Sequence, residues 1–272
     1  MSALKIQPDF SGPITLDLQL QAGGIIYGPF ENGHLGKNLG INVLGRQKIC
    51  SFDCPYCDLG LTTMRLNRLK DDAVFPSIEE VGQAVLNAFK KIHTQGGAVD
   101  AICLSGNGEP TLHPDFPELA HTIVEIRDSW MPGKPIHLFT NGVGLDTRRI
   151  ADAVNLLDER IVKLDAGNDR LLKIVNAPLS RTNLARIMTG TRKMRDVIIQ
   201  SMFFEGSLTN TAPGDIDDWL ELIAMIKPKA VFINGLTHQP ALETLKRCEQ
   251  DTLYTIASRL ERKTQIRAIV TP

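Results

Sequence analysis

From residue 39 onward the chain alternates between short apolar runs and longer stretches whose apolar positions recur at helical spacing. The runs at 39–44, 99–104, 135–139, 160–164, 197–203 and 230–234 are rich in Val, Ile, Leu and Phe and are flanked by turn residues. That pattern marks strands covered on both faces. The stretches between them predict helices at 77–95, 116–129, 147–157, 168–195, 213–226 and 242–262, the fourth broken near Pro178. Ser77 followed by Glu80 makes a capping box that starts the first helix, and Gly96-Gly97 ends it. Trp219 falls on the apolar face of helix 213–226, and a short strand at 265–270 closes the chain.

Strands that alternate with helices predict parallel βα units, so the fold class is α/β. Six strands precede the final one, fewer than the eight of a closed barrel. Residues 1–38 read as irregular or extended, punctuated by Gly12-Pro13, Gly23-Gly24 and Gly28-Pro29. Residues 61–75 form a second connection carrying Arg65, Arg68 and Lys70. No linker rich in Pro, Gly or Ser divides the chain, so the expectation is one core domain at 39–272 behind an N-terminal extension at 1–38.

Composition adds mostly exclusions. At 272 residues and 43% hydrophobic there is ample material for a core. A net charge of −1 gives no bulk electrostatic footprint for nucleic acid or an anionic membrane. No apolar stretch is long enough to cross a bilayer, and the first residues lack the pattern of a signal peptide. Five cysteines, an odd number clustered unevenly, do not make a disulfide framework. A reducing cytoplasm is the expected home.

Three of those five cysteines fall within Cys50-Ser-Phe-Asp-Cys54-Pro-Tyr-Cys57. Three thiolates on one loop can hold three irons of a cubane cluster and leave the fourth without a protein ligand. A metal site with an open position is built for chemistry rather than for structure. Two other readings fit the same spacing. One is a structural zinc module, with His34 or another residue completing the tetrahedron. The other is an electron carrier that uses the cluster alone.

In parallel βα folds ligands meet the strand ends and the loops that follow them. There the sequence places Ser105-Gly-Asn-Gly-Glu-Pro110, Thr140-Asn-Gly142, Lys163 with Asp165-Ala-Gly167, Gln200, and Asn234-Gly235. Packing readings stand beside these. Thr140-Asn-Gly142 is also a common turn, and Asp165 is also a candidate helix cap. His113 and His137 read as packing or surface residues, and Cys103 and Cys248 as small buried hydrophobes. The basic stretch from Arg181 to Arg195 reads as a solvated helix face. Lys163, inside an apolar strand, needs a partner for its ammonium.

With Tyr56 at the aromatic position, the cysteine loop matches C-x3-C-x-aromatic-C, and the chain resembles the radical S-adenosylmethionine (SAM) superfamily. More narrowly, it is similar to the group containing the tRNA wyosine synthases. That likeness runs through Gly28-Pro29, Leu35-Gly-Lys-Asn-Leu-Gly-Ile41, Gly108-Glu-Pro-Thr-Leu-His-Pro-Asp-Phe116, Thr140-Asn-Gly142, Val162-Lys-Leu-Asp-Ala-Gly167 and Gln200-Ser-Met-Phe203. The resemblance implies a partial (β/α)6 barrel of the TIM type. It implies one 4Fe–4S cluster ligated by Cys50, Cys54 and Cys57, with SAM chelating the fourth iron. Gly106, Asn107, Gly108 and Glu109 would meet the SAM amino group, largely through backbone. Tyr56 would lie near the adenine, and Asn141, Lys163, Asp165 and Gln200 would surround carboxylate and ribose. One electron from an external reductant such as flavodoxin or ferredoxin would cleave SAM to a 5′-deoxyadenosyl radical, which abstracts hydrogen from substrate.

The chain departs from the wyosine synthases in two ways. No cysteine precedes Cys50, so their second cluster is not expected here. Asn32-Gly-His-Leu-Gly36 stands where the group often carries a basic pair. With the weak basic footprint, a small metabolite or a peptide is favoured as substrate, and a wyosine-synthase-like activity on tRNA is the alternative.

Overall fold

The computed structural model describes residues 24–62 and 73–271. Among them, eight strands form one sheet in the order β1-β2-β3-β4-β5-β6-β8-β10. These are β1 (Ile26–Glu31), β2 (Lys37–Ile41), β3 (Ala101–Leu104), β4 (Ile136–Thr140), β5 (Glu159–Lys163), β6 (Ile198–Met202), β8 (Ala230–Asn234) and β10 (Ala268–Thr271). Every neighbouring pair is parallel except β1 with β2. The connections carry α1 (Ile78–Thr94), α2 (Phe116–Trp130), α3 (Arg148–Val154), α4 (Asp169–Val175), α5 (Leu184–Thr191), α6 (Pro213–Ile226) and α7 (Gln250–Thr264). Six βα units from β2 to α7, followed by β10, make a partial (β/α)6 barrel. None of the described helices is long and apolar enough to cross a membrane.

The apolar runs read as they do because both faces of each strand are buried. Leu39, Ile41, Ile102, Leu104, Leu138 and Val162 join the main core, which also takes in residues of the surrounding helices. The alternate positions Ile161, Ile198 and Phe232 form a second cluster with Phe139, Ile269 and Leu35, which is the filling of the barrel. Helix starts follow their caps. Ser77 Oγ accepts from Glu80 N at 3.1 Å while Ser77 N donates to Glu80 Oε2 at 2.7 Å, closing the expected box. Trp219 is buried, and its Nε1 donates to Ser201 Oγ at 3.0 Å and Leu164 O at 3.2 Å, tying α6 to the ends of β5 and β6.

Two segments depart from the pattern. Residues 26–31, read as irregular or extended, form β1, which pairs antiparallel with β2 across a register shift between Tyr27 and Phe30. The Gly28-Pro29 break is therefore a bulge within a strand rather than the end of one. The boundary at residue 38 falls inside β2. Between the two strands a 3-10 turn at Gly33–Leu35 carries Leu35 to the barrel filling. Gly40 lies under the ring of Tyr27, where an added Cβ would come within 2.1 Å of Cζ.

The second departure is at 242–262. Here the helix begins only at Gln250, because Leu245–Arg247 forms β9, antiparallel to β7 (Phe204–Gly206). The pairing of this segment with β7 overrides its local helical preference. Arg65, Arg68 and Lys70 lie outside the described residues.

Candidate active site at the cysteine loop

The loop that follows β2 is fixed on two sides before any of its cysteines is considered. On one side Ile49 N donates to Asn107 O and Glu109 N to Ile49 O, each at 2.9 Å, a single rung of parallel pairing immediately before Cys50. Gly108 makes this possible. At φ +132° it lies so close to Ile49 that an added Cβ would stand 1.9 Å from the Ile49 carbonyl oxygen. On the other side, Leu179 N donates to Ser51 O at 2.9 Å and Asp53 N to Asn176 O at 3.1 Å, while Phe52 bridges to Pro178. The loop also closes on itself. Asp53 Oδ1 accepts from Thr62 N at 2.6 Å and lies 3.6 Å from Lys48 Nζ, which donates to Gly60 O. Pro55 O accepts from Leu242 N at 2.8 Å.

All three cysteines of the loop are free thiols, Cys54 buried and Cys50 and Cys57 half-buried. Cys50 Sγ accepts from Phe52 N at 3.5 Å and Asn141 Nδ2 at 3.7 Å, and Cys54 Sγ accepts from Asn176 Nδ2 at 3.4 Å. Burial pushes the Cys50 thiol up to about 12 and the Cys54 thiol up to about 11. Such thiols keep their protons until a cation replaces them. Among the described residues no three His, Cys, Asp or Glu side chains gather around one metal-ion position. A cubane spreads its thiolates around four irons and needs a wider set than a mononuclear site. Three free thiols on one clamped loop, with N–H donors directed at two of the sulfurs, fit that group.

Beside the loop, Asp165 is the centre of a buried network. Its Oδ2 accepts from Tyr56 Oη and from Asn176 Nδ2 at 2.6 Å, and its Oδ1 accepts from Met202 N at 2.7 Å. Lys163 Nζ lies 3.9 Å from Asp165 Oδ1 and 4.9 Å from the centre of the Tyr56 ring. These two contacts supply the partner that the sequence position of Lys163 called for. Gln200 stands opposite Lys163 on the neighbouring strand. Asp165 does not cap α4. Asn168 does, accepting from Leu171 N at 2.8 Å.

The residues Gly106 to Glu109 make contacts within the protein. Asn107 Nδ2 donates to Gly45 O at 2.7 Å, and Asn107 N donates to Asn42 Oδ1 at 3.2 Å. Glu109 is buried and its carboxyl accepts four hydrogen bonds. Thr111 N (3.2 Å), Thr111 Oγ1 (2.6 Å) and Thr140 Oγ1 (2.8 Å) reach Oε1, and Asn141 N (2.6 Å) reaches Oε2. Burial pushes this carboxyl up, and the four donors hold it back. Through Glu109 the β3 loop therefore fixes Asn141, whose Nδ2 donates to Ser51 Oγ at 2.8 Å as well as to Cys50. Asn141 Oδ1 meanwhile accepts from Val143 N at 3.1 Å, so the turn reading and the site reading hold together.

Asn107, Glu109, Asn141, Asp165 and Tyr56 are thus linked by hydrogen bonds to the cysteine loop or the segments that hold it, and Lys163 lies beside Asp165, with Gln200 opposite it on the next strand. His113 Nε2 donates to Pro76 O at 2.9 Å, and its ring meets that of Phe75 edge-on. His137 pairs with Glu159 at 3.6 Å near the start of β4 and β5, the opposite end of the barrel. Cys103 and Cys248 are buried. The residue that sequence reasoning missed is Asn176, which touches Cys54, Tyr56 and Asp165 at once. Its one signal was an Asn at a helix end two positions before Pro178.

Residues 46–222 match the family model described as Radical SAM superfamily. A UPF0026 protein of Synechocystis is 28% identical over 225 residues, covering 80% of this chain and 77% of its own length. A protein named GTPase Obg from Brachyspira hyodysenteriae is 28% identical over 224 residues, 81% of this chain, which spans 31% of that protein. Among solved structures, a radical SAM methyltransferase from Sphaerobacter thermophilus has a TM-score of 0.64 at 18% identity, over 86% of this chain and 65% of that one. TYW1 with a lysine–pyruvate adduct bound gives 0.58 at 14% identity, over 83% and 73%. At these identities the likeness is one of fold.

Proposed function

The chain belongs to the radical SAM superfamily, and from that premise we propose that Cys50, Cys54 and Cys57 each ligate one iron of a single 4Fe–4S cluster, the fourth iron being left to SAM. When bound at these cysteines, the cluster would supply the one-electron reducing chemistry that makes SAM a source of hydrogen-abstracting power toward the substrate. An external one-electron carrier of the flavodoxin or ferredoxin kind provides the electron.

The chain's own part is to bind, orient and keep water out. Ile49 and Asp53 hold the loop from two sides, so the sulfurs are placed before the cluster arrives, which lowers the cost of ordering them. Lys163 offers a part-exposed ammonium for the SAM carboxylate, with Gln200 beside it. Asp165 fixes the Tyr56 hydroxyl and so sets the ring for the adenine, and Glu109 fixes Asn141. Gly106 to Glu109 meet the amino group and hold the loop at the same time. A small metabolite or a peptide is the favoured substrate class, supported by the near-neutral charge of the chain.

The observation that carries this reading is the double clamp on a loop bearing three free thiols, made by the same loops that hold the other predicted contacts. Anaerobic reconstitution followed by iron and sulfide analysis tests it, with methionine and 5′-deoxyadenosine measured after dithionite and SAM are added. About four irons per chain and release of both products are expected. A colourless protein holding stoichiometric zinc would overturn the reading, and a loaded cluster that leaves SAM intact would make the protein an electron carrier. Substrate candidates are then found as compounds in extract that pass deuterium to 5′-deoxyadenosine.

A further inference from the structure

We infer that Asn176 is a positioning residue that sets the reduction potential of the cluster by donating a side-chain N–H to Cys54 Sγ. This rests on the reading of Cys54 as a cluster ligand.

Asn176 caps the end of α4 and is 1% exposed. Its backbone oxygen accepts from Asp53 N at 3.1 Å, so the cysteine loop itself fixes its place. Its Nδ2 has three partners, Asp165 Oδ2 at 2.6 Å, Tyr56 Oη at 3.0 Å and Cys54 Sγ at 3.4 Å. The orientation of the amide follows from chemistry. An ionised carboxylate only accepts, so the nitrogen must face Asp165 and therefore also faces the sulfur. The amide has two hydrogens for three partners. One goes to the carboxylate, and the other is shared between a phenol oxygen and the sulfur.

Ligation changes that sharing. The Cys54 thiol now reaches Asn176 O at 3.7 Å, a contact that ends when its proton leaves. The thiolate is an acceptor only and carries charge, so it draws the second hydrogen more strongly than the neutral phenol does. Hydrogen bonds to cluster sulfurs are among the factors that set the potential. An N–H donor favours the more negative, reduced state and raises the potential.

The side chain keeps this orientation although its Oδ1 is buried with no hydrogen-bond partner among the described residues. A buried orphan acceptor is unfavourable, and a residue needed only to fill the space would serve better as Leu. Cys50 has weaker counterparts in Phe52 N at 3.5 Å and Asn141 Nδ2 at 3.7 Å.

The test compares wild type, Asn176→Leu and Asn176→Asp after anaerobic reconstitution, with the midpoint potential read by EPR-monitored redox titration. Leu keeps the volume and loses the donor. Asp keeps the shape and replaces the donor with an acceptor. The expected order of potentials is wild type, then Leu, then Asp. At the wild-type midpoint the reduced-to-oxidised ratio of Asn176→Leu should fall roughly tenfold, the equivalent of about 59 mV for one electron. Variants with full iron content and an unmoved midpoint would overturn the inference and leave the cluster reading intact. So would loss of the cluster from both variants, which would make Asn176 a scaffold residue only. A wild-type chain that assembles no 4Fe–4S cluster overturns the cluster reading, and this inference with it.

Discussion

Replacing Gly108 with alanine puts a methyl group where the backbone of Ile49 already lies. The new Cβ would stand 1.9 Å from the Ile49 carbonyl oxygen, 2.5 Å from its carbon and 3.1 Å from its nitrogen, and all three are backbone atoms with no rotamer to yield. The φ of +132° adds strain for any residue with a Cβ, about 1–3 kcal/mol. Relief requires opening the rung made by Ile49 N to Asn107 O and Glu109 N to Ile49 O, about 0.5–1.5 kcal/mol for each bond. The sum is about 4 kcal/mol, which for a domain of this size lowers Tm by about 8–16 °C. Gly96→Ala is the control. Gly96 also has positive φ, +64°, but no atom of the described residues lies within 4 Å of its added Cβ, so only the backbone cost of about 1–2 kcal/mol applies. Because Cys50 follows Ile49 directly, opening the rung also moves a proposed iron ligand. Gly108→Ala should therefore take up less iron on reconstitution, while Gly96→Ala loads like wild type. Thermal unfolding of the apoprotein and iron analysis read the two effects separately. If Gly108→Ala matches Gly96→Ala in both, the Ile49 rung does not hold the loop and the clamp argument fails.

Other outcomes follow from the same geometry. Glu109→Gln keeps one acceptor oxygen but turns an amide N–H2 toward either Asn141 N or the Thr111 and Thr140 donors. It should cost about 2–4 kcal/mol in chemical denaturation and lower iron loading through Asn141. Lys163→Met removes the ammonium over the Tyr56 ring and should leave iron content unchanged while weakening SAM binding roughly tenfold or more by calorimetry on the loaded protein. An unchanged affinity would take Lys163 out of the SAM site. Cys54→Ala should lose both the full cluster and the release of 5′-deoxyadenosine, and a variant that keeps either refutes the ligand assignment.

Much of the architecture was readable because both sheet faces are buried, which turns each strand into an apolar run between turn residues. Ser77 and Glu80 announced α1 through a purely local device, and the cysteine spacing announced the loop. Contacts that depend on chain separation were not readable. Asn176 lies 122 residues from Cys54, and no local pattern distinguishes it from any other Asn that ends a helix. The strand at Leu245–Arg247 was hidden for a similar reason, since its partner Phe204–Gly206 lies far back in the chain. Gly106 to Glu109 were found by motif, but their inward bonds were not. A glycine written for close approach to a ligand and one written for close approach to Ile49 look the same in sequence. Asn141 shows the limit of weighing alternatives residue by residue, since its two ends do different things at once.

The β1–β2 hairpin has a practical consequence for how this protein is handled. Among the described residues, β1 is the strand that covers the row of backbone groups along the outer side of β2. The turn at Gly33–Leu35 then reaches toward the far side of the sheet, where an added Cβ on Gly33 would meet Thr271 Cγ2 at 3.6 Å. Trimming the chain to the start of the apolar pattern at Leu39 would expose β2 as an unpaired edge, a template for pairing with another copy. It would also remove Leu35 from the barrel filling. A chain cut there is expected to self-associate during expression more than one cut at Gly24, in which β2 stays paired with β1. The segment that looked like a preface in sequence is what keeps β2, and the cysteine loop that follows it, inside the sheet rather than at its rim.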